Sequence, residues 1–194
     1  TSGSFNFTIQ CLGDRTIFTR KSAQEIATFV FPFLDTKQKR DTLENLFNPL
    51  FGAAEQLREE LSLIESDKLK PYFEVLQSCV ELSLAHNRED SIGTILVKMN
   101  AEKCLHTLIL KSGNDKLPVQ AGRLMVAIFA KHAAESDARR VEYETKTLSL
   151  IKQILNRGYL RSALHVLSES LFCWSNLKLA DNFHVQLSRL MVSQ

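Results

Sequence analysis

The chain has 194 residues, 44% of them hydrophobic and 24% charged, with a formal net charge of +2. This balance argues against a disordered chain, and so small a net charge gives no reason in itself to expect a nucleic-acid binder. No run approaches the roughly 20 apolar residues that a membrane-spanning helix needs, so no membrane partner is expected.

Thr1-Ser-Gly-Ser has neither a basic start nor an apolar run, so it does not read as a cleavable leader. It reads as a remnant ahead of a domain cut from a longer protein. In the next stretch Phe5, Phe7, Ile9 and Cys11 alternate with Asn6, Thr8 and Gln10, followed by Gly13-Asp14 and Thr16-Ile17-Phe18-Thr19. Period-two alternation around a turn predicts an extended, β-hairpin-like arm over residues 1–19. Residues 20–194 are then expected to form a helical-repeat domain.

Ser22 and Glu25 have the spacing of a capping box, which predicts a first helix over about 23–31 with Ile26, Phe29, Val30 and Phe33 as its apolar stripe and Pro32 near its end. Asp35-Thr36 can cap a second helix through Leu43, Leu46 and Phe47. Pro49 is expected to break or restart it, and a third run continues through Leu50, Ala53, Leu57, Leu61 and Ile64. Ser66 or Asp67 opens a helix with Pro71 in its first turn and a stripe at Phe73, Leu76, Val80 and Leu84, ending near His86-Asn87. Asp90-Ser91 starts another, with Ile92, Ile95, Leu96 and Met99 on one side. The apolar phase then slips, so Asn100 is expected to cap a new short helix carrying Cys104, Leu105, Leu108 and Ile109.

Leu117 to Gly158 reads as a helix pair joined at Ser136-Asp137-Ala138. Apolar residues recur at Ala121, Leu124, Met125, Ile128 and Phe129, then at Val141, Leu148, Leu150, Ile151, Ile154 and Leu155. Pro118 suits a first turn, and Gly158 suits the position just past a helix end. Leu160, Ala163, Leu164, Leu167 and Leu171 predict the next helix, and Ala180, Phe183, Leu187, Leu190 and Met191 a final one. Roughly nine helical runs joined by short loops give an all-α fold. The units Ser66–Gly113, Leu117–Gly158 and Tyr159–Val192 have the length of helical repeats, which predicts stacked antiparallel helix pairs of the armadillo or HEAT type, with a compact orthogonal bundle as the arrangement that would give almost the same pattern.

Catalytic chemistry has no foothold in the sequence. His86, His106, His132, His165 and His184 are scattered, Cys104 and His106 fall on different helix faces, and Gly93, Gly113 and Gly122 stand apart from any phosphate loop. No enzyme activity, metal or cofactor is therefore expected. Cys11, Cys79, Cys104 and Cys173 form no CxxC pair and sit mostly inside apolar runs, which points to an intracellular, reducing compartment.

Charge is spread unevenly: residues 51–90 hold 4 basic and 9 acidic side chains, and residues 91–194 hold 14 and 8. The basic half centres on Arg139, Arg140, Lys146, Lys152 and Arg157, a candidate ridge for an acidic or phosphorylated segment of a partner, or for nucleic-acid backbone.

A Phe-rich helical region, an acidic middle and the run Arg139-Arg-Val-Glu-Tyr-Glu-Thr-Lys-Thr-Leu-Ser-Leu-Ile-Lys-Gln-Ile-Leu155 together resemble the C-terminal helical-repeat region of ATR-interacting proteins. The likeness lies on one helix, has no diagnostic motif and transfers no functional residue. It implies a nuclear scaffold in genome maintenance and the DNA damage response, bound to a large helical-repeat protein. The expected function is thus a non-catalytic protein–protein interaction module of a larger protein, nuclear rather than cytoplasmic, and able to self-associate through exposed apolar surface. The alternative is a nucleic-acid-binding helical domain using the basic C-terminal half.

Overall fold

The computed structural model describes residues 2–59, 66–82, 92–112, 116–134 and 136–176, with isolated positions 185, 188, 189 and 192. Among the described residues there are nine α-helices, two short 3-10 turns and no strand. The helices are α1 (Ser2–Gln10), α2 (Ile17–Val30), α3 (Thr36–Glu59), α4 (Ser66–Leu82), α5 (Ile92–Lys98), α6 (Ala101–Lys111), α7 (Lys116–Ala133), α8 (Asp137–Asn156) and α9 (Leu160–Asn176). The chain divides into two compact units, Thr1–Gly113 and Asn114–Gln194.

The expected extended arm is helical. Phe5, Ile9 and Leu12 lie four and three residues apart, so the residues that alternate in a strand reading also form a helical stripe. Ile9 and Leu12 are buried while Phe7 faces out. Gly13-Asp14 does mark a turn, but one between helices: Asp14 Oδ1 accepts the Thr16 N–H at 2.7 Å, and α2 begins at Ile17. The expected boundary at residues 19 and 20 therefore falls inside α2, and Ser22 is an interior residue of that helix rather than its cap. Pro32 lies in the 3-10 turn Phe31–Phe33 that closes α2.

Helix α3 is the centre of the first unit, touching α1, α4 and α6. Its start is a reciprocal capping box, in which Asp35 Oδ1 accepts the Gln38 N–H at 2.8 Å and Gln38 Oε1 accepts the Asp35 N–H at 3.1 Å. Pro49 does not break it. The missing amide proton and the ring clash cost about 3 kcal/mol inside a helix. Leu43, Leu46, Phe47 and Leu50 are all fully buried around it, each contributing about 1.5–3 kcal/mol, so burial outweighs the proline. Helix α4 packs on α2 and α3, with Leu69, Phe73, Leu76 and Cys79 inward. Burial pushes the Cys79 thiol up to about 12, which suits a core residue rather than a nucleophile. The expected phase slip after Met99 is real: Asn100 takes a left-handed conformation (φ 55°, ψ 32°) and separates α5 from α6.

In the second unit α7, α8 and α9 all touch one another. Ser136 caps α8 by accepting the Arg139 N–H at 3.3 Å. Gly158, at φ +76°, ends it in a Schellman motif: its N–H donates to Leu155 O at 2.8 Å, and the Tyr159 N–H donates to Ile154 O at 3.4 Å. The contact face of α9 is not the expected leucine stripe. Ser162, Ala163, Val166 and Ser170 are buried, whereas Leu160 and Leu164 are exposed. The reason is close approach to α7. A Cβ at Gly122 would collide with Val166 Cγ2, so at this crossing α7 needs a residue without a side chain. The Ser170 hydroxyl is satisfied by donating to Val166 O at 2.7 Å. An Arg123–Glu169 ion pair at 2.9 Å flanks the seam.

The expected turns at His86-Asn87 and Asp90-Ser91, the end of the third run at Leu61 and Ile64, and the core of the final helix lie outside the described residues.

Gly122→Ala should therefore destabilise the chain by about 1–3 kcal/mol in denaturant unfolding. Combining it with Val166→Ala should recover part of that loss through a favourable coupling, because the second change opens the space the first one needs.

Candidate interaction surfaces

The five basic residues singled out in the sequence do not form one ridge. Successive helical residues turn by roughly 100°, so Arg139, Lys146 and Arg157 fall on one side of α8, while Arg140 and Lys152 lie roughly 100° and 140° away. The buried arc of α8, formed by Tyr143, Glu144, Thr147, Leu150, Ile151 and Ile154, runs beside the first set and includes the direction of Arg140. Three of the five are engaged within the unit. Arg139 Nη1 lies 3.4 Å from His132 Nδ1, and since a guanidinium can only donate, that ring nitrogen is the acceptor. Arg140 Nη2 pairs with Asp137 Oδ1 at 2.8 Å. Lys146 Nζ pairs with Glu142 Oε1 at 3.2 Å and sits 4.7 Å from the Tyr143 ring centroid, close enough for a cation–π contact. Lys152 and Arg157 are exposed.

Beneath the engaged three is a cluster that periodicity did not single out. His132 of α7 is buried and stacks on Tyr143 of α8, with ring centroids 4.9 Å apart and planes 11° from parallel. Phe129 lies 5.3 Å from Tyr143 on the same side. Thr147 is buried with its hydroxyl donating to Tyr143 O at 2.8 Å. Glu144, 5% exposed, has one carboxylate oxygen buried without a hydrogen-bond partner. Loss of hydration raises its proton affinity above the ordinary glutamate value, opposed by the Arg140 guanidinium one turn away. Arg140 thus acts as a countercharge near a buried carboxylate while pairing with Asp137. Among the described residues no group of three or more His, Cys, Asp or Glu side chains is placed to hold a metal ion, and no helix is long and apolar enough to cross a membrane.

The first unit presents a different surface. The residues expected to be the buried stripe of its capped helix are turned outward. Ala23 and Ala27 are the buried residues of α2, and Phe18, Phe29 and Phe33 are 78%, 73% and 78% exposed, with Ile26 half-exposed between them. At 100° per residue, Phe18, Ile26, Phe29 and the following Phe33 share one side. The Phe29 and Phe33 rings are 6.0 Å apart and support each other. Beside them runs an open groove of about 680 Å³ between α2 and α4, with Phe29, Pro32 and Phe33 along one wall and buried Val75 beneath. Two carboxylates, Glu25 and Glu74, stand at its edge, and among the described residues no basic side chain lines it. Gln24 Nε2 donates to Glu74 Oε2 at 2.6 Å, tying the two helices together across the groove. The sequence signal for this face was present in Ile26, Phe29 and Phe33, but it pointed inward, while Phe18 was expected in the extended arm.

Comparison with protein-family models, with curated proteins and with solved structures returns no match.

The carboxylate of Glu144 has a pH signature with a definite sign. Its folded-state proton affinity exceeds that of the unfolded chain, so its contribution favours folding at low pH and is lost as pH rises through the folded value. Glu144→Gln should be more stable than the wild type at neutral pH, with the gap narrowing as pH falls into the ordinary carboxylate range, in urea unfolding across those pH values. Arg140→Ala, which strips the buried carboxylate of its countercharge, should cost about 1–3 kcal/mol, whereas Lys152→Glu and Arg157→Glu should stay within about 0.5 kcal/mol of wild type in the same assay.

Proposed function

We propose that the chain is a non-catalytic protein–protein interaction module, and that its docking surface is the aromatic face of α2 with the adjoining groove. The observation that carries this reading is the exposure of Phe18, Ile26, Phe29 and Phe33 along one side of a helix whose other side buries two alanines. Contiguous exposed apolar surface rimmed by polar groups marks interaction sites, because leaving several aromatic rings in water is unfavourable unless a partner covers them. Armadillo- or HEAT-like stacking of the helices is the form of scaffold this reading favours. A nuclear genome-maintenance scaffold, implied by the resemblance on α8, is one version of it; the face assigned here is carried by α2, a different helix from the one with that likeness.

The second reading, nucleic-acid binding through the basic C-terminal half, draws on the exposed Lys152, Arg157 and Arg161. It has less support, because Arg139, Arg140 and Lys146 are engaged with His132, Asp137, Glu142 and Tyr143.

Affinity capture from nuclear and cytosolic extracts separates the two. With Phe29→Asp and Phe33→Asp combined, helicity should be unchanged by circular dichroism and wild-type partners should be lost. With Lys152→Glu and Arg157→Glu combined, they should be retained. The reverse pattern, together with capture that weakens steeply between low and moderate salt, would move the function to the basic half.

A further inference from the structure

We infer that the groove between α2 and α4 receives an amphipathic helix of a partner protein, laid along α2 with its apolar side down and lysine or arginine beside that side. The inference rests on the α2 face being the interaction surface and adds the class of segment that binds it.

Shape comes first. Phe18 to Phe33 spans 15 positions, and at 1.5 Å per helical residue the exposed row runs for roughly 22 Å. A row that long and one side chain wide matches the repeating anchors of a helix at i, i+3, i+4 and i+7 better than a compact ligand.

Hydrogen-bonding capacity decides among extended and helical segments. A strand-like peptide needs a free sheet edge, and the described residues contain no strand. A polyproline segment leaves its carbonyls open and needs donors in the groove. Here the Gln24 amide donates to Glu74, the Ser78 hydroxyl donates to Glu74 O at 3.1 Å, and the aromatic side chains are phenylalanines, which have no donor, so the Thr28 hydroxyl is the main donor left for a row of open carbonyls. A helix satisfies its own backbone, so it loses nothing by lying on such a surface.

Charge then sets the flank. Glu25 and Glu74 are the charged residues of the groove, and both are exposed at its edge. Glu74 is partly balanced by Lys70 at 3.6 Å, which leaves Glu25 as the principal attraction for an incoming cation.

The test uses three labelled synthetic helices of about 15 residues: one with a Leu/Phe face flanked by Lys, one identical but Glu-flanked, and one Lys-flanked with its apolar positions scrambled. Each is titrated by fluorescence polarisation against wild type, Phe29→Asp with Phe33→Asp, Ile26→Asp as an independent variant, and Glu25→Lys, with light scattering on each protein. The Lys-flanked helix should bind at least about tenfold more tightly than either control. It should weaken about tenfold or more on Phe29→Asp with Phe33→Asp, and several-fold on Ile26→Asp. The added aspartates would strengthen a purely electrostatic attraction, so this loss reports apolar docking. Glu25→Lys should weaken it roughly three- to tenfold and improve the Glu-flanked helix.

Equal binding of Lys- and Glu-flanked helices, or Lys-flanked binding that survives the Phe variants, overturns the inference while leaving the α2 face open as an interaction surface. A wild-type dimer dissolved by Phe29→Asp with Phe33→Asp overturns it as well, and makes a second copy the occupant. No peptide binding, combined with extract capture unaffected by the Phe variants, overturns both the inference and the reading beneath it.

Discussion

Helices that approach closely do so through small side chains, and this constraint decides which residues the molecule leaves outside. On α9 the seam against α7 is made by Ser162, Ala163, Val166 and Ser170 over Gly122, where a single added methyl group would collide. Leu160 and Leu164 cannot share that seam and are turned away. On α2 the same selection buries Ala23 and Ala27 and turns out Phe18 and Phe29, with Phe33 of the closing turn exposed beside them. Close packing gains dispersion contacts over a long line of atoms, each small, and dense enough to compete with burying fewer large groups. The apolar surface left over is then a consequence of the packing, and it is where a partner can gain most from binding.

Polar burial in the second unit follows a different balance. Helix α8 turns Tyr143, Glu144 and Thr147 toward its neighbours along with Leu150, Ile151 and Ile154. Thr147 solves its hydroxyl locally against Tyr143 O, and His132 is covered by the Tyr143 ring. Glu144 is less well served, with a raised proton affinity and Arg140 as its electrostatic support. A buried carboxylate costs stability unless it is paired, and removing the nearby cation costs more than the pair is worth. Basic residues that read as a binding ridge in one dimension are in part the counterweight to this cluster.

Local signals were legible wherever a single residue's backbone chemistry settles the outcome. The break at Asn100, the Asp35 start of α3, the Ser136 start of α8 and the Gly158 end all follow from capping and left-handed geometry that few residues supply. Pro49 misled because tertiary burial outweighed a local penalty. The N-terminal segment misled because Phe5, Ile9 and Leu12 satisfy a helical period as well as an alternating one, and a short apolar run does not distinguish the two. Helix existence is therefore readable from periodicity in the longer runs but not in a short one such as α1, and the choice of inward face on a helix with apolar residues on two sides is not readable at all.

That last ambiguity explains why the interaction surface was hidden in plain composition. In α2 the stripe Ile26, Phe29 and Phe33 and the pair Ala23 and Ala27 both have helical spacing, and hydrophobicity alone ranks the aromatic side as the buried one. What reverses the ranking is the space α1 and α4 leave around α2, a property of several helices together. An enzyme's site announces itself through residue types that have few other uses; a docking face is built from the same residues as a core. Its only signature is to be uncovered, and that can be read only once the rest of the chain has found its place. On α2 and the turn that closes it the uncovered side carries Phe18, Ile26, Phe29 and Phe33 with a carboxylate edge beside them, so the surface carries polarity of charge as well as hydrophobicity. Apolar area then sets how strongly a partner is held, and the acidic edge sets which partners and which orientations are admitted.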